Sequence, residues 1–181
     1  GVEEFTTTAT PCLGYELVGW YSGETLLSTD LTYTFTVTQK VTAKFEVKAE
    51  MSNFNFTSTA TTCSITGVKD KTVTEIVVPD YVTSISEGAF SGCRSLKEIT
   101  LPFVGAKVGV TASHTYQYPF GYIFGTSSYT GGTATTQHYY GSSTSSTTSS
   151  TYYIPKSLKK VTITGGNILY GAFDNCSSLT S

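Results

Sequence analysis

An internal repeat constrains this chain more than any other feature of its sequence. Gly88-Ala-Phe-Ser-Gly-Cys-Arg-Ser-Leu96 returns as Gly171-Ala-Phe-Asp-Asn-Cys-Ser-Ser-Leu179, with Gly, Ala, Phe, Cys, the second Ser and Leu in register. The flanking segments keep that register: Val73, Ile76 and Val78 align with Leu96, Ile99 and Leu101, and again with Leu158, Val161 and Ile163. The spacing is about 23 residues from Val73 to Leu96 and about 21 from Leu158 to Leu179, within the range of stacked-repeat arrays. Parallel rungs follow, because a unit this short buries its apolar face only against its neighbours, each fully buried Ile, Leu or Phe contributing roughly 1.5 to 3 kcal/mol. Phe90, Cys93, Phe173 and Cys176, at matching repeat positions, are the expected structural core, with the two Phe as its main fillers.

The rest of the chain is read around this array. Residues 1–50 hold short runs of β-branched and aromatic residues (Phe5 to Thr10, Tyr15 to Tyr21, Tyr33 to Val37, Val41 to Val47) broken by turn formers such as Pro11, Gly14 and Ser22-Gly23. They predict a small antiparallel module, and residues 51–181 form the repeat domain, interrupted by a long insertion over about 103–153. The fold class is mainly β: a small antiparallel β module followed by a short repeat solenoid with a long loop insertion. Composition agrees, since 56 residues are Ser or Thr, Leu is 10 and Met is 1, so strong helix formers are scarce. Helical content is expected only as short turns near Gly88 to Ser91 and Gly171 to Asp174.

Charge excludes one class of partner. With 11 basic and 13 acidic residues the formal net charge is -2, which gives no basic field for a nucleic-acid backbone. No uncharged apolar run approaches the roughly 18 residues that would span a bilayer, so no membrane insertion is expected. Cofactors and metals are not expected either: there is no G-x-x-x-x-G-K, no G-x-G-x-x-G after a strand, no G-x-S-x-G and no Cys or His at ligand spacing. His114 and His138 stand alone in the insertion and read as exposed loop residues. Cys12 and Cys63 fall in different modules and read as free, while Cys93 and Cys176 read as buried thiols in rungs too far apart for a disulfide. No catalytic residue is assigned, and the chain reads as no enzyme.

Two surfaces are candidates for binding. Because Ile76 and Val78 point inward, strand alternation turns Glu75, Val77, Glu98, Thr100, Lys160 and Thr162 outward on one sheet face. Glu75 and Glu98 then lie opposite each other on neighbouring rungs, a solvated like-charge pair eased by Lys160 rather than a pair for sugar hydrolysis. The second candidate is the stripe Tyr116, Tyr118, Phe120, Tyr122 and Phe124, which at every second residue would share one side of an extended chain, held at an edge by Pro119. Two readings stay open for it: a cap on the repeat core, or an exposed platform for sugar rings or a partner's apolar patch. Gly141 to Thr151 is almost pure Ser and Thr and reads as a mobile loop.

The motif Ile76-Val-Val-Pro-Asp-Tyr-Val-Thr-Ser-Ile-Ser-Glu-Gly-Ala-Phe-Ser-Gly-Cys-Arg-Ser-Leu-Lys-Glu-Ile-Thr-Leu-Pro102 closely resembles the BspA-like (Treponema-type) leucine-rich repeat. That resemblance covers Cys63 to Pro102 and Ile154 to Ser181. Ala9-Thr-Pro-Cys-Leu-Gly-Tyr-Glu-Leu-Val-Gly-Trp-Tyr, with Leu27 to Val37 and Val41 to Glu46, is similar to the divergent internalin-type B repeat. The B repeat lacks its opening strand and the last leucine-rich repeat stops before the strand it should begin, so both ends read as cut. Together the resemblances imply an extracellular or cell-surface bacterial protein fragment that binds a protein or glycan on a host or neighbouring cell. The alternatives from other classes are a carbohydrate-binding module using the tyrosine-rich insertion and a structural spacer with no ligand.

Overall fold

The computed structural model describes all residues, Gly1–Ser181. Its thirteen strands are short and lie in five small sheets, and its helical segments are single 3-10 pieces. The chain divides into two compact units, Gly1–Ser52 with Ser58–Thr61, and Asn53–Thr57 with Thr62–Ser181.

In the first unit, β1 (Glu4–Thr8) pairs antiparallel with β4 (Thr32–Thr36), and β2 (Tyr15–Ser22) lies between β3 (Thr25–Ser28) and β5 (Thr42–Val47), also antiparallel. Alternation of Thr with aromatics in β4, with Phe5 of β1 opposite Phe35, sorts the two faces. Thr6 meets Thr34 at 2.8 Å and Thr8 meets Thr32 at 2.9 Å on the wet side. On the other side the rings of Phe5, Phe35, Tyr33 and Trp20 follow one another with centroids 6.0 to 6.5 Å apart. Trp20 is buried there, and its indole N–H donates to the Asp30 carbonyl at 2.8 Å, so its polar edge is satisfied.

The second unit contains β6 (Phe54–Ser58), β7 (Cys63–Val68), β8 (Glu75–Val77), β9 (Ser84–Ile85), β10 (Glu98–Leu101), β11 (Gly132–Tyr140), β12 (Thr147–Pro155) and β13 (Lys160–Ile163). Strands β8, β10 and β13 form a parallel sheet in which Ile76, Ile99 and Val161 stand side by side, the register of the sequence repeat. The repeat extends to the backbone bonds. The Thr74 carbonyl accepts the amides of Lys97 and Glu98, the Lys97 carbonyl those of Lys159 and Lys160, and the Lys159 carbonyl those of Thr180 and Ser181. Likewise the turn bonds from Cys93 to Phe90 and from Leu96 to Cys93 recur from Cys176 to Phe173 and from Leu179 to Cys176, at 3.3 and 3.2 Å in both copies. Gly88 and Gly171 open these turns at φ of 69° and 73°, a left-handed conformation that suits glycine.

The core under this sheet is made by Ile76, Val78, Val82, Ile85, Phe90, Cys93, Leu96, Ile99 and Leu101, all buried. Phe90 has no exposed surface and packs between Phe54 and Phe124, with centroids at 6.2 and 6.3 Å. Its repeat counterpart departs from the expectation. Phe173 is only partly buried and stacks on Phe120 at 4.8 Å, and Cys176 is also partly buried, because the third rung packs against the insertion rather than against another complete rung.

Three further expectations are corrected in the insertion. The aromatic stripe does not run along an extended chain: Ala112–Gln117 and Phe120–Phe124 are 3-10 segments. Gly141 to Thr151 is not a free loop, because β11 and β12 pair over nine residues with Gly141 to Ser146 as the connection. His138 lies within β11, its Nδ1 at 3.0 Å from Asp174 Oδ2, and His114 caps the first 3-10 segment by accepting the Thr111 amide at 2.9 Å.

Gln137 fastens the hairpin to the third rung. It is completely buried in β11, where Oε1 accepts the Gly121 amide at 2.7 Å. Its Nε2 donates to the carbonyls of Ala172 and Asp174, both at 3.1 Å, and lies 3.4 Å from Cys176 Sγ. Asn175, held at φ 60°, donates its side-chain amide to the Thr136 carbonyl beside it.

The four cysteines are free thiols, with Cys12 exposed and Cys63 and Cys93 buried. Burial pushes the Cys93 and Cys176 thiols up from 9.0 to about 11, the nearby Asp174 carboxylate adding to the effect at Cys176, and it raises Cys63 as well. Half-buried Tyr129 and fully buried Tyr152 move in the same direction. A raised acid group binds its proton more tightly in the folded state, so its stabilisation is complete below pH 9 and is lost as pH rises through about 11. Thermal melts by circular dichroism should therefore be flat in this respect up to about pH 9 and fall steeply by pH 11. An unchanged Tm through pH 11 would contradict the buried-thiol geometry.

Candidate binding faces

The strand face is assembled by register. In the parallel sheet Glu98 faces Glu75 on one side and Lys160 on the other, and Thr100 faces Val77 and Thr162. Alternation gives the burial pattern: Ile76 and Ile99 are inside, Glu75, Val77, Glu98, Lys160 and Thr162 are exposed, and Thr100 is half-buried. Val77, 52% exposed, is an apolar spot beside Thr100 and next to the charged row of Glu75, Glu98 and Lys160. Lys160 Nζ lies 3.8 Å from Glu98 Oε2, which offsets the carboxylate pair; as an exposed ion pair it contributes about 0 to 1 kcal/mol. The face can offer a partner one apolar contact, two carboxylates, an ammonium and two hydroxyls, with the backbone beneath held rigid by sheet bonds.

The aromatic stripe is dispersed. Tyr118, Phe120 and Phe124 are buried, Tyr122 is half-buried, and only Tyr116 is substantially exposed, at 42%. The 3-10 winding is the reason: residues two apart fall on different sides, so Phe120 and Phe124 reach the core while Tyr116 faces water. Phe124 joins Phe90, Phe120 joins Phe173, and the Tyr152 hydroxyl donates to the Tyr116 carbonyl at 2.6 Å. These five residues form no continuous exposed platform. The Gly121 amide approaches this cluster so closely that a Cβ there would sit 2.5 Å from the Tyr152 ring, which makes glycine obligatory for the close packing.

An exposed aromatic surface lies where the end of β11 meets the segment after β13. Tyr140 and Tyr170 stack at 5.3 Å, Tyr140 also touches the Tyr118 ring, and Ile168 and Tyr170 are 60% and 52% exposed. Neither this pair nor Gln137 is marked by any spacing in the sequence, since their partners come from separate segments.

Residues 3–49 match the family model of the divergent InlB B-repeat domain, and residues 66–112 match that of the BspA type leucine rich repeat region, a model of six copies. Over those residues both resemblances hold. The BspA-type match takes in β8, β9 and β10 together with the start of the insertion, and the B-repeat match takes in β1 to β5. Both are repeat families rather than enzyme families. No curated protein and no solved structure matches the chain. No helix is long and apolar enough to cross a membrane.

Proposed function

We propose that this chain is a non-enzymatic interaction module of a bacterial cell-surface or secreted protein. In this reading residues 1–50 are a B-repeat module and residues 51–181 a short leucine-rich solenoid, whose outward strand face adheres to a protein or glycan on a host or neighbouring cell. The observation that carries the reading is the in-register row Glu75, Val77, Glu98, Thr100, Lys160 and Thr162 on a rigid parallel sheet. Stacked-repeat proteins commonly bind through such faces. The two family matches, both typical of bacterial surface proteins, support the location.

The test is binding of the labelled chain to an array of extracellular-matrix proteins and glycans, with Val77→Lys as the variant. Val77 is exposed, so the substitution leaves the core intact. The expected outcome is capture by at least one arrayed molecule and a loss of about tenfold or more in affinity for the variant, the size of one central contact. Binding that Val77→Lys leaves unchanged, or no capture at all, refutes the strand-face reading.

A further inference from the structure

The two edges of the β11–β12 ribbon are treated differently, and the difference is readable from hydrogen bonds. In an antiparallel pair, alternate residues exchange bonds with the partner strand while those between point their N–H and C=O outward. The closing bonds, Gly141 N–H to the Ser146 carbonyl and Lys156 N–H to the Gly131 carbonyl, place the even-numbered residues of β12 in the bonded set. The odd-numbered ones point away from β11, as Tyr153 shows by donating to the Gly125 carbonyl at 3.0 Å.

On β11 three of the outward groups, spread along the strand, are occupied. The Tyr140 amide donates to the Tyr118 hydroxyl at 2.8 Å, the Thr136 carbonyl accepts from Asn175, and the Gly132 amide donates to the Tyr129 carbonyl at 3.0 Å. On β12 the outward groups of Thr147, Ser149 and Thr151 face solvent, and all three residues are exposed. An edge of this kind is normally blunted by Lys, Pro, a bulge or a covering loop. Here the β11–β12 register runs without a shift, and residues 108–155 contain no Asp, Glu, Lys or Arg at all.

We propose that β12 pairs with β12 of a second copy of this chain, antiparallel and two-fold symmetric about Ser149. The pairing sets Ser149 against Ser149 of the partner copy and Thr147 against its Thr151, each such pair exchanging two backbone bonds. Self-complementarity follows from the geometry, because Thr147 and Thr151 are equidistant from Ser149 and the interface is isologous. Nothing opposes the approach electrostatically, since no charged side chain lies on either strand. The two ribbons thereby join into one four-stranded sheet with the two β12 strands at its centre. This inference stands apart from the strand face, which lies on a different sheet of the same unit.

Sedimentation equilibrium of the whole chain across the micromolar range tests it. The wild type is expected to dimerise, and Ser149→Pro to weaken the dimer by about tenfold or more, because proline removes an outward donor while sparing the β11–β12 ladder. Should Ser149→Pro unfold, the decision passes to Ser149→Lys and Ser149→Glu. Each of these places like charges across the axis and is expected to be monomeric at low salt, and their equimolar mixture is expected to dimerise. A monomeric wild type, a Ser149→Pro chain that associates as tightly as the wild type, or a mixture no more associated than either charged variant overturns the proposal.

Discussion

Phe90→Ala is expected to destabilise the second unit by about 3 to 5 kcal/mol, the cost of removing a fully buried ring and leaving its cavity. The ring sits where three contributions meet: Phe54 from β6, the repeat turn, and Phe124 from the insertion. None of these neighbours is free to fill the space, since Phe54 is tied to a strand and Phe124 is packed against Phe120 at 5.3 Å. Against a typical total of about 5 to 15 kcal/mol, the loss leaves the unit marginal. Phe173→Ala should cost less than half as much, because Phe173 keeps one side in solvent. Urea unfolding followed by far-ultraviolet circular dichroism gives both numbers. Equal losses for the two variants would mean that the repeat positions are energetically equivalent, against the burial observed.

Gln137→Leu is expected to be nearly as damaging although it makes the residue more apolar. It keeps the approximate volume but orphans the Gly121 amide and the Asp174 carbonyl, both met by one side chain, while the Ala172 carbonyl keeps the Phe120 amide at 2.8 Å. Each buried group left unpaired costs about 1 to 3 kcal/mol, so the two together cost about 2 kcal/mol or more. The loss should be local as well as global. Hydrogen exchange at the Gly121 amide, protected by a 2.7 Å bond, is expected to accelerate by orders of magnitude relative to Ile99 in the parallel sheet. A stability change within about 0.5 kcal/mol would show that water or a rearranged turn replaces the amide.

What could be read from the sequence was whatever the repeat dictates by register. Ile76, Ile99 and Val161 align because the repeated segments pair as parallel strands in one register, so similarity along the chain becomes adjacency in the sheet. The outward set followed by alternation alone. The insertion was not legible in this way. Aromatics at every second residue fit a strand equally as a pattern, but Thr115 at φ 49° breaks the chain direction and Pro119 starts a second 3-10 segment. Ser and Thr from Gly141 to Thr151 concealed the hairpin, because β12 itself is buried only at its end, in Tyr152, Ile154 and Pro155, and its polar remainder needs just a paired backbone. Gln137 gave no signal either: a polar residue in a polar strand looks solvated until its four partners are seen together.

The placement of the insertion also bears on how such arrays tolerate passengers. β10 and β13 are neighbours in the sheet although the chain between them is about three times as long as that between β8 and β10, which by loop-closure entropy adds only about 1 kcal/mol. One buried Ile recovers that amount. The junction after Leu101 therefore acts as a port: a folded segment can be spliced there while the next rung still closes on the Lys97 carbonyl. A sheet of this design can change its outward chemistry by exchanging the spliced segment, without altering a residue of the paired strands themselves.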